Sequence, residues 1–147
     1  MRLPTSLALL ALAPFLALPS TAALAASSPT STDLVGVEEV PGPGDADASG
    51  SADLKLNKGQ GTVCYDLAWA DVDGDVVAAH IHVGSSGVVG SVVVPLPAGG
   101  AGNGGSASGC TSVDKALIAA IRKNPSGYYV NVHSTVFPAG AIRGQLG

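Results

Sequence analysis

The sequence predicts a mainly β protein, an antiparallel sandwich or barrel of about seven or eight strands with one short helix near residues 111–123. All 20 glycines lie after residue 25, and valine is abundant in the same stretch. Glycine weakens helices, whereas β-branched valine suits a pleated surface. Short alternating runs between Gly, Pro and Asp turns are typical of strands. A length of 147 residues allows about one domain.

Residues 1–25 have the three parts of a secretory signal peptide. Arg2 is followed by an apolar run at 7–18 and by small residues on either side of Leu24. Twelve residues interrupted by Pro14 are too short for a bilayer span, which needs about 20. The predicted organisation is therefore a signal peptide (1–25), a flexible leader (26–32) and one domain (33–147). The mature protein is expected to be secreted, extracellular or in the cell envelope, with no membrane span.

The charge of the mature chain limits its partners. Without Arg2, six Lys and Arg face eleven Asp and Glu, so the net charge is −5. An acidic surface repels phosphate backbones and anionic lipids. We therefore expect no nucleic-acid partner.

The first half of the domain is predicted to consist of strands. A strand at 34–40 is followed by a Pro- and Gly-rich loop, and the alternating runs 52–57 and 62–70 form a hairpin. Tyr65 and Trp69 then share the core face of the second hairpin strand. Further strands are expected at 76–83 and 91–96, the latter at a sheet edge or with a bulge because it contains Pro95.

The second half contains the predicted helix. The glycine-rich stretch 97–109 is expected to be a flexible loop. Helical spacing of apolar residues predicts a helix at 111–123, with Thr111 or Ser112 as its N-cap and Asp114 in its first turn. Pro125 ends this helix, and two final strands are expected at 128–137 and 141–146.

Cys64 and Cys110 are the only two cysteines. An exported protein meets an oxidising environment, and Cys110 follows a loop that lets the chain return to the Cys64 strand. We therefore predict a disulfide bond between them.

All three histidines lie in two predicted strands. His80 and His82 share one face of strand 76–83, roughly 6.5–7 Å apart, which is close enough for two imidazoles to bind one ion. His133 lies on the polar face of strand 128–137, so pairing of the two strands would form a three-histidine site with an open position. Copper is the favoured metal by the Irving–Williams order, although such a site also suits zinc. The alternative is that these are surface or hydrogen-bonded histidines without a ligand.

Other polar residues give weaker indications of a functional site than the three histidines do. The turn Asp71, Asp73 and Asp75 resembles the start of a calcium loop but lacks the later bidentate glutamate. Asp45 is expected to be a solvated loop residue. Arg143 either forms a surface salt bridge, which is the favoured interpretation, or faces an anion or the histidine site. No nucleophile elbow or phosphate-binding glycine loop occurs, so no catalytic residue is predicted.

Three stretches resemble the CHRD domain, a module named after chordin and found in many secreted bacterial proteins. They are EEVPGPGDADASGSADLKL, AHIHVGSSGVVGSVVVPL and NPSGYYVNVHSTVFPAGAIRGQL, and the resemblance extends over residues 34–146. It implies an extracellular, immunoglobulin-like β-barrel and little biochemistry. The leading functional hypothesis is therefore a non-enzymatic extracellular binding or structural module whose partner the sequence does not name.

A weaker resemblance is to the copper half of copper/zinc superoxide dismutase, in which a His-x-His strand and a late histidine bind copper. His80, His82 and His133 match that pattern, but the chain has only these three histidines and so lacks the bridging and zinc ligands. The second hypothesis is thus a copper-binding protein for storage, delivery or redox protection, and dismutase activity is not expected.

The mature protein should begin at Ala26, because Ala23 and Ala25 form a cleavage pattern. Intact-mass analysis of secreted material checks this. A mass that still includes residues 1–25 would contradict it.

Overall fold

The computed structural model describes residues 28–147, which form eight strands and one α-helix. The predicted signal peptide lies outside these residues. Within residues 28–147 no helix is long and apolar enough to cross a membrane. The strands are β1 (Ser28–Val35), β2 (Ser49–Asn57), β3 (Thr62–Ala70), β4 (Val76–Val83), β5 (Val92–Leu96), β6 (Gly105–Ser112), β7 (Tyr128–Ser134) and β8 (Ile142–Gln145), and the helix is α1 (Lys115–Lys123).

The strands form one antiparallel sheet in the order β5-β4-β7-β8-β1-β2-β3-β6. The two edge strands, β5 and β6, contact each other, so the sheet is a nearly closed barrel. This confirms the predicted antiparallel architecture. It also confirms the edge position predicted for the strand with Pro95, a residue that cannot donate to a central ladder.

Alternating side chains fill the barrel. In β3, Val63, Tyr65, Leu67 and Trp69 are buried and the residues between them are more exposed. Tyr65 and Trp69 satisfy their polar atoms by donating to the carbonyls of Pro97 and Ala101, at 2.9 and 3.0 Å. The predicted core role of both aromatic residues is therefore confirmed.

The first strand differs from the prediction. β1 ends at Val35, where a short 3-10 turn at Gly36–Glu38 begins, and it extends back to Ser28. Part of the predicted flexible leader is thus in a strand, so the leader prediction is wrong for residues 28–32. The physical reason is that the backbone there forms a full ladder with β2, and pairing of this kind needs no apolar side chains.

The stretch before the helix also differs. Part of the predicted flexible loop is strand β6, which pairs with β3 along its whole length. The helix consequently begins at Lys115, and its N-cap is Asp114, which accepts hydrogen bonds from the backbone N–H groups of Ala116 and Leu117 at 2.6 and 3.3 Å. The predicted helix start at 111 is wrong because Thr111 and Ser112 belong to the β3 ladder.

Cys64 and Cys110 form a disulfide, as predicted. The two residues face each other in the register of β3 and β6. The bond therefore fixes a glycine- and serine-rich edge strand to the barrel across 46 positions of sequence.

Replacing both cysteines with serine should lower the free energy of unfolding by up to about 4 kcal/mol, because the unfolded chain regains the entropy of an open loop. Calorimetry of the oxidised wild type and the double variant measures this. Two free thiols in the unfolded, unreduced wild type would contradict the pairing.

Candidate metal centre

Strands β4 and β7 place the three histidines on the outer face of the barrel. Ala79 and Ile81 point inward from β4 and are buried, so His80 and His82 point outward. The valines of β7 point inward in the same way, and His133 shares the outer face with Tyr129 and Asn131.

The register then brings the histidines together. Ala78 pairs with His133 and His80 pairs with Asn131, so His133 is a diagonal neighbour of His80. Side chains at diagonal positions are within reach of one another. The predicted grouping of the three histidines is observed.

The ligand atoms of the three imidazoles all lie within 4.8 Å of one another. His80 Nδ1 and His133 Nε2 are 3.1 Å apart. An ion bonded at about 2.0 Å to each nitrogen requires nitrogens no more than about 4 Å apart. In a tetrahedral site the nitrogens would lie about 3.3 Å apart, so the widest separation would have to close by up to about 1.5 Å.

Backbone carbonyls set the tautomers of two histidines. His82 Nδ1 lies 2.8 Å from the carbonyl oxygen of Gly90, and His133 Nδ1 lies 3.1 Å from that of Pro138. A carbonyl only accepts, so each Nδ1 carries the proton and donates it. Both rings therefore have their lone pair at Nε2, and that of His133 is directed at His80. A carbonyl or carboxylate on the other ring nitrogen is also the usual partner of a metal-bound histidine.

His82 Nε2 is the critical atom. It is buried, and it has no hydrogen-bond partner. Leaving a buried acceptor unpaired costs about 1–3 kcal/mol. The residues present therefore fit a metal ion, which would bond to this lone pair.

His80 would provide the third ligand atom through Nδ1, whereas the other two histidines offer Nε2. In the absence of an ion, His80 Nδ1 donates to His133 Nε2. The tautomer of His80 with its proton on Nε2 would instead present the Nδ1 lone pair. The ligand set offered is then Nδ1 of His80 with Nε2 of His82 and His133.

Two of the histidines are held in the neutral form. Burial, together with the neighbouring His133 and His82, lowers the pKa of His80 to about 4. Burial also lowers the pKa of His133, against the bond to Pro138, which raises it. Neutral imidazole is the form that binds metal. These two ligands are therefore ready at neutral pH.

A shallow groove lies beside one histidine of the cluster. His80 is half-buried and borders a shallow groove of about 320 Å³ between β4 and β5. Of the three histidines, only His80 lines this groove. A larger surface groove, of about 430 Å³ near Asp53 and Lys55, contains none of the predicted site residues.

A buried polar layer continues from the cluster across β7 and β8. Arg143 is only 1% exposed, so the favoured prediction of a surface salt bridge is wrong. It pairs in register with Asn131, beside the cluster. Buried Glu39 adjoins Asn131, and burial raises the Glu39 pKa to about 7, against the attraction of Arg143. Strand alternation could have identified Arg143, but Glu39 lies in a loop and has no such signal.

The aspartates do not form a metal site. Among residues 28–147, the only group of three or more His, Cys, Asp or Glu with ligand atoms close enough to share an ion is the histidine cluster. Asp45, predicted to be solvated, is buried and accepts a hydrogen bond from the backbone N–H of Asp73 at 2.7 Å. That bond uses the carboxylate to hold a turn, and burial raises the Asp45 pKa.

The family model of the CHRD domain matches residues 30–146, nearly all of the described chain. The match starts three residues before the predicted domain start at Asp33. Comparison with curated proteins finds no match, and comparison with solved structures finds none either.

Glu39→Gln should stabilise the protein above pH 7 and have little effect near pH 4.5. The folded-state pKa of Glu39 is raised above its ordinary value, so the folded state binds more protons between these limits, and wild-type stability falls as pH rises through them. Glutamine does not titrate. Urea unfolding at pH 4.5 and 8 should show a gain on the order of 1–2 kcal/mol only at pH 8. Equal gains at both pH values would contradict a titrating Glu39.

Proposed function

The chain belongs to the CHRD-domain family, and we propose that it is an extracellular module that binds one copper ion through His80, His82 and His133. Membership of the family suggests an extracellular or binding role in general. The metal is the more specific part of the proposal. It depends on the histidine cluster alone.

The observation that carries the proposal is the unpartnered, buried Nε2 of His82. The carbonyl of Gly90 accepts the hydrogen bond from Nδ1, so Nε2 has a free lone pair, and it is buried. The Nε2 of His133 carries its lone pair for the same reason, and the ligand atoms of the three histidines lie within 4.8 Å of one another. A protein gains nothing in stability from isolating an acceptor in this way, whereas a bound cation uses it.

Copper is favoured over other metals because of the donor set. Imidazole nitrogen suits copper and zinc, while carboxylate or carbonyl sets suit calcium and magnesium. Cu²⁺ exceeds Zn²⁺ in the Irving–Williams order. A bound copper ion would supply a one-electron couple or serve as cargo for storage or delivery. The three histidines hold it, and the neutral state of His80 and His133 removes the competition with protons at neutral pH.

The location is supported by two independent features. The Cys64–Cys110 disulfide is consistent with an oxidising compartment, and family members are generally extracellular. The predicted signal peptide agrees with both. In such a compartment copper is available without competition from cytosolic thiols.

A second candidate is a binding or structural module that takes no metal. The observation in its favour is the 3.1 Å contact between His80 and His133, which satisfies one nitrogen of each ring without an ion. This candidate leaves the His82 acceptor without a partner. Metal analysis separates the two.

Wild type should bind one copper ion per chain near pH 7.5, and His80→Ala, His82→Ala and His133→Ala should each weaken binding at least tenfold, because each removes one of three ligands. Titration against a chromophoric copper chelator measures the affinity. A parallel titration with Zn²⁺ should give weaker binding.

Lys123→Ala, at the exposed end of α1, serves as the control and should bind copper like wild type. Circular dichroism confirms that each variant is folded. Folded histidine variants that bind as tightly as wild type, or a wild type that binds no copper, would leave the metal-free module as the function.

A further inference from the structure

We propose that residues 84–91, the loop between β4 and β5, form a clasp that orients His82 for metal binding. Arg143 is the positioning residue that holds this clasp in place. The inference rests on the proposed copper function. Arg143 is a positioning residue because it acts on His82 through the clasp.

Arg143 is bonded to the clasp at two points. Its guanidinium donates to the carbonyl oxygens of Val88 and Ser85, at 3.1 and 3.0 Å. The Ser85 carbonyl also accepts from the backbone N–H of Val88, which closes a turn inside the loop, and the guanidinium binds both ends of this turn. A planar fork suits two acceptors at once, which a lysine ammonium on a flexible stem does not match.

Tyr129 supports the same loop from beneath. The Arg143 guanidinium carbon lies 3.4 Å from the centre of the Tyr129 ring, and His82 stacks on that ring at 4.8 Å with an interplanar angle of 11°. The Tyr129 hydroxyl accepts a hydrogen bond from the backbone N–H of Gly90 at 3.2 Å. The tyrosine thus touches the arginine, the clasp and the histidine.

The clasp contacts His82 through Gly90. Its N–H is held by Tyr129, and its carbonyl oxygen accepts from His82 Nδ1. A side chain at Gly90 would overlap the carbonyl of Val83, so only glycine lets the loop approach this closely. The position of one peptide group therefore determines which nitrogen of His82 has the free lone pair.

The clasp needs an external tie because of its composition. Three of its eight residues are glycines, and its exposed tip carries Val88 and Val89, which bury little surface. Ordering such a loop costs more backbone entropy than ordering other residues. The bonds from Arg143 and Tyr129 offset that cost before any ion binds.

The surroundings of Arg143 favour this role over recognition of an anion. The side chain is sealed from solvent, and three of its hydrogen bonds reach the clasp carbonyls and, at 3.5 Å, the side-chain oxygen of Gln145. These partners are neutral acceptors. The Arg143 guanidinium therefore uses its hydrogen-bond donors on groups of the protein itself.

Arg143→Lys and Tyr129→Phe test the clasp by small changes. The first keeps the charge and loses the fork, and the second keeps the ring and loses the hydroxyl that holds Gly90. The tautomer of His82 in the metal-free protein is read from its side-chain nitrogen shifts by NMR. We expect wild type to carry the proton on Nδ1 and both variants to show a mixture with the Nε2 form.

His133 is an internal control for this measurement, because the carbonyl of Pro138 sets its tautomer independently of the clasp. A general loss of folding would change the tautomers of both His82 and His133. Copper titration of the same variants should show binding weakened by about 10-fold or more, the usual cost of losing such a support. Arg122→Lys, on the exposed face of α1, is the matched control and should match wild type.

The outcomes distinguish this inference from the proposed function. An unchanged His82 tautomer in both variants overturns the clasp, whatever copper does. A changed tautomer with unchanged copper affinity overturns its role in metal binding. If the His82 tautomer changes in the variants but wild type binds no copper, the clasp is supported and the copper function is overturned. Should Arg143→Lys not fold, Tyr129→Phe decides by the same criteria.

Discussion

The antiparallel pairing of β4 with β7 is the constraint on which the candidate site depends. Ala79 and Ile81 pack inward from one strand and Val130 and Val132 from the other, and burial of these side chains fixes the register. A slip of one residue would move every apolar side chain to the solvent side and every histidine into the core. The same hydrophobic burial that stabilises the barrel therefore also determines which polar side chains meet on its outer face.

That outer face is unusual because loops cover it. His82, Asn131 and Arg143 point away from the barrel interior, yet all three are buried. In such surroundings each polar atom needs a partner, and backbone carbonyls of the covering loops provide most of them. The unpaired atoms, among them His82 Nε2, stand out for this reason. Loop carbonyls thus define the tautomers of His82 and His133, while burial lowers the pKa of His80 and His133.

Strands β3, β4 and β6 show where local sequence patterns predict a strand and where they fail to do so. Strands β3 and β4 have the predicted bounds, because each lies between strong turn signals. The alternation of buried and more exposed residues is strict in β3, whereas β4 has a register shift between Val76 and Ala78. Strand β6 was predicted as loop, since its glycine, serine and alanine residues have no apolar pattern. It is a strand because β3 offers it an unpaired edge and Cys110 is bonded to Cys64. Such pairing depends on distant backbone groups that composition does not register.

By itself, the sequence determined the antiparallel β class, the disulfide pair and the common face of His80 and His82, because period-two alternation and the count of two cysteines are local or compositional facts. Only the tertiary structure decided that His133 lies diagonal to His80, that Arg143 is buried beneath the loop at 84–91, and that Glu39 comes next to Asn131. These contacts join residues far apart in the chain. They follow from register and from loop closure, which depend on the packing of the whole barrel.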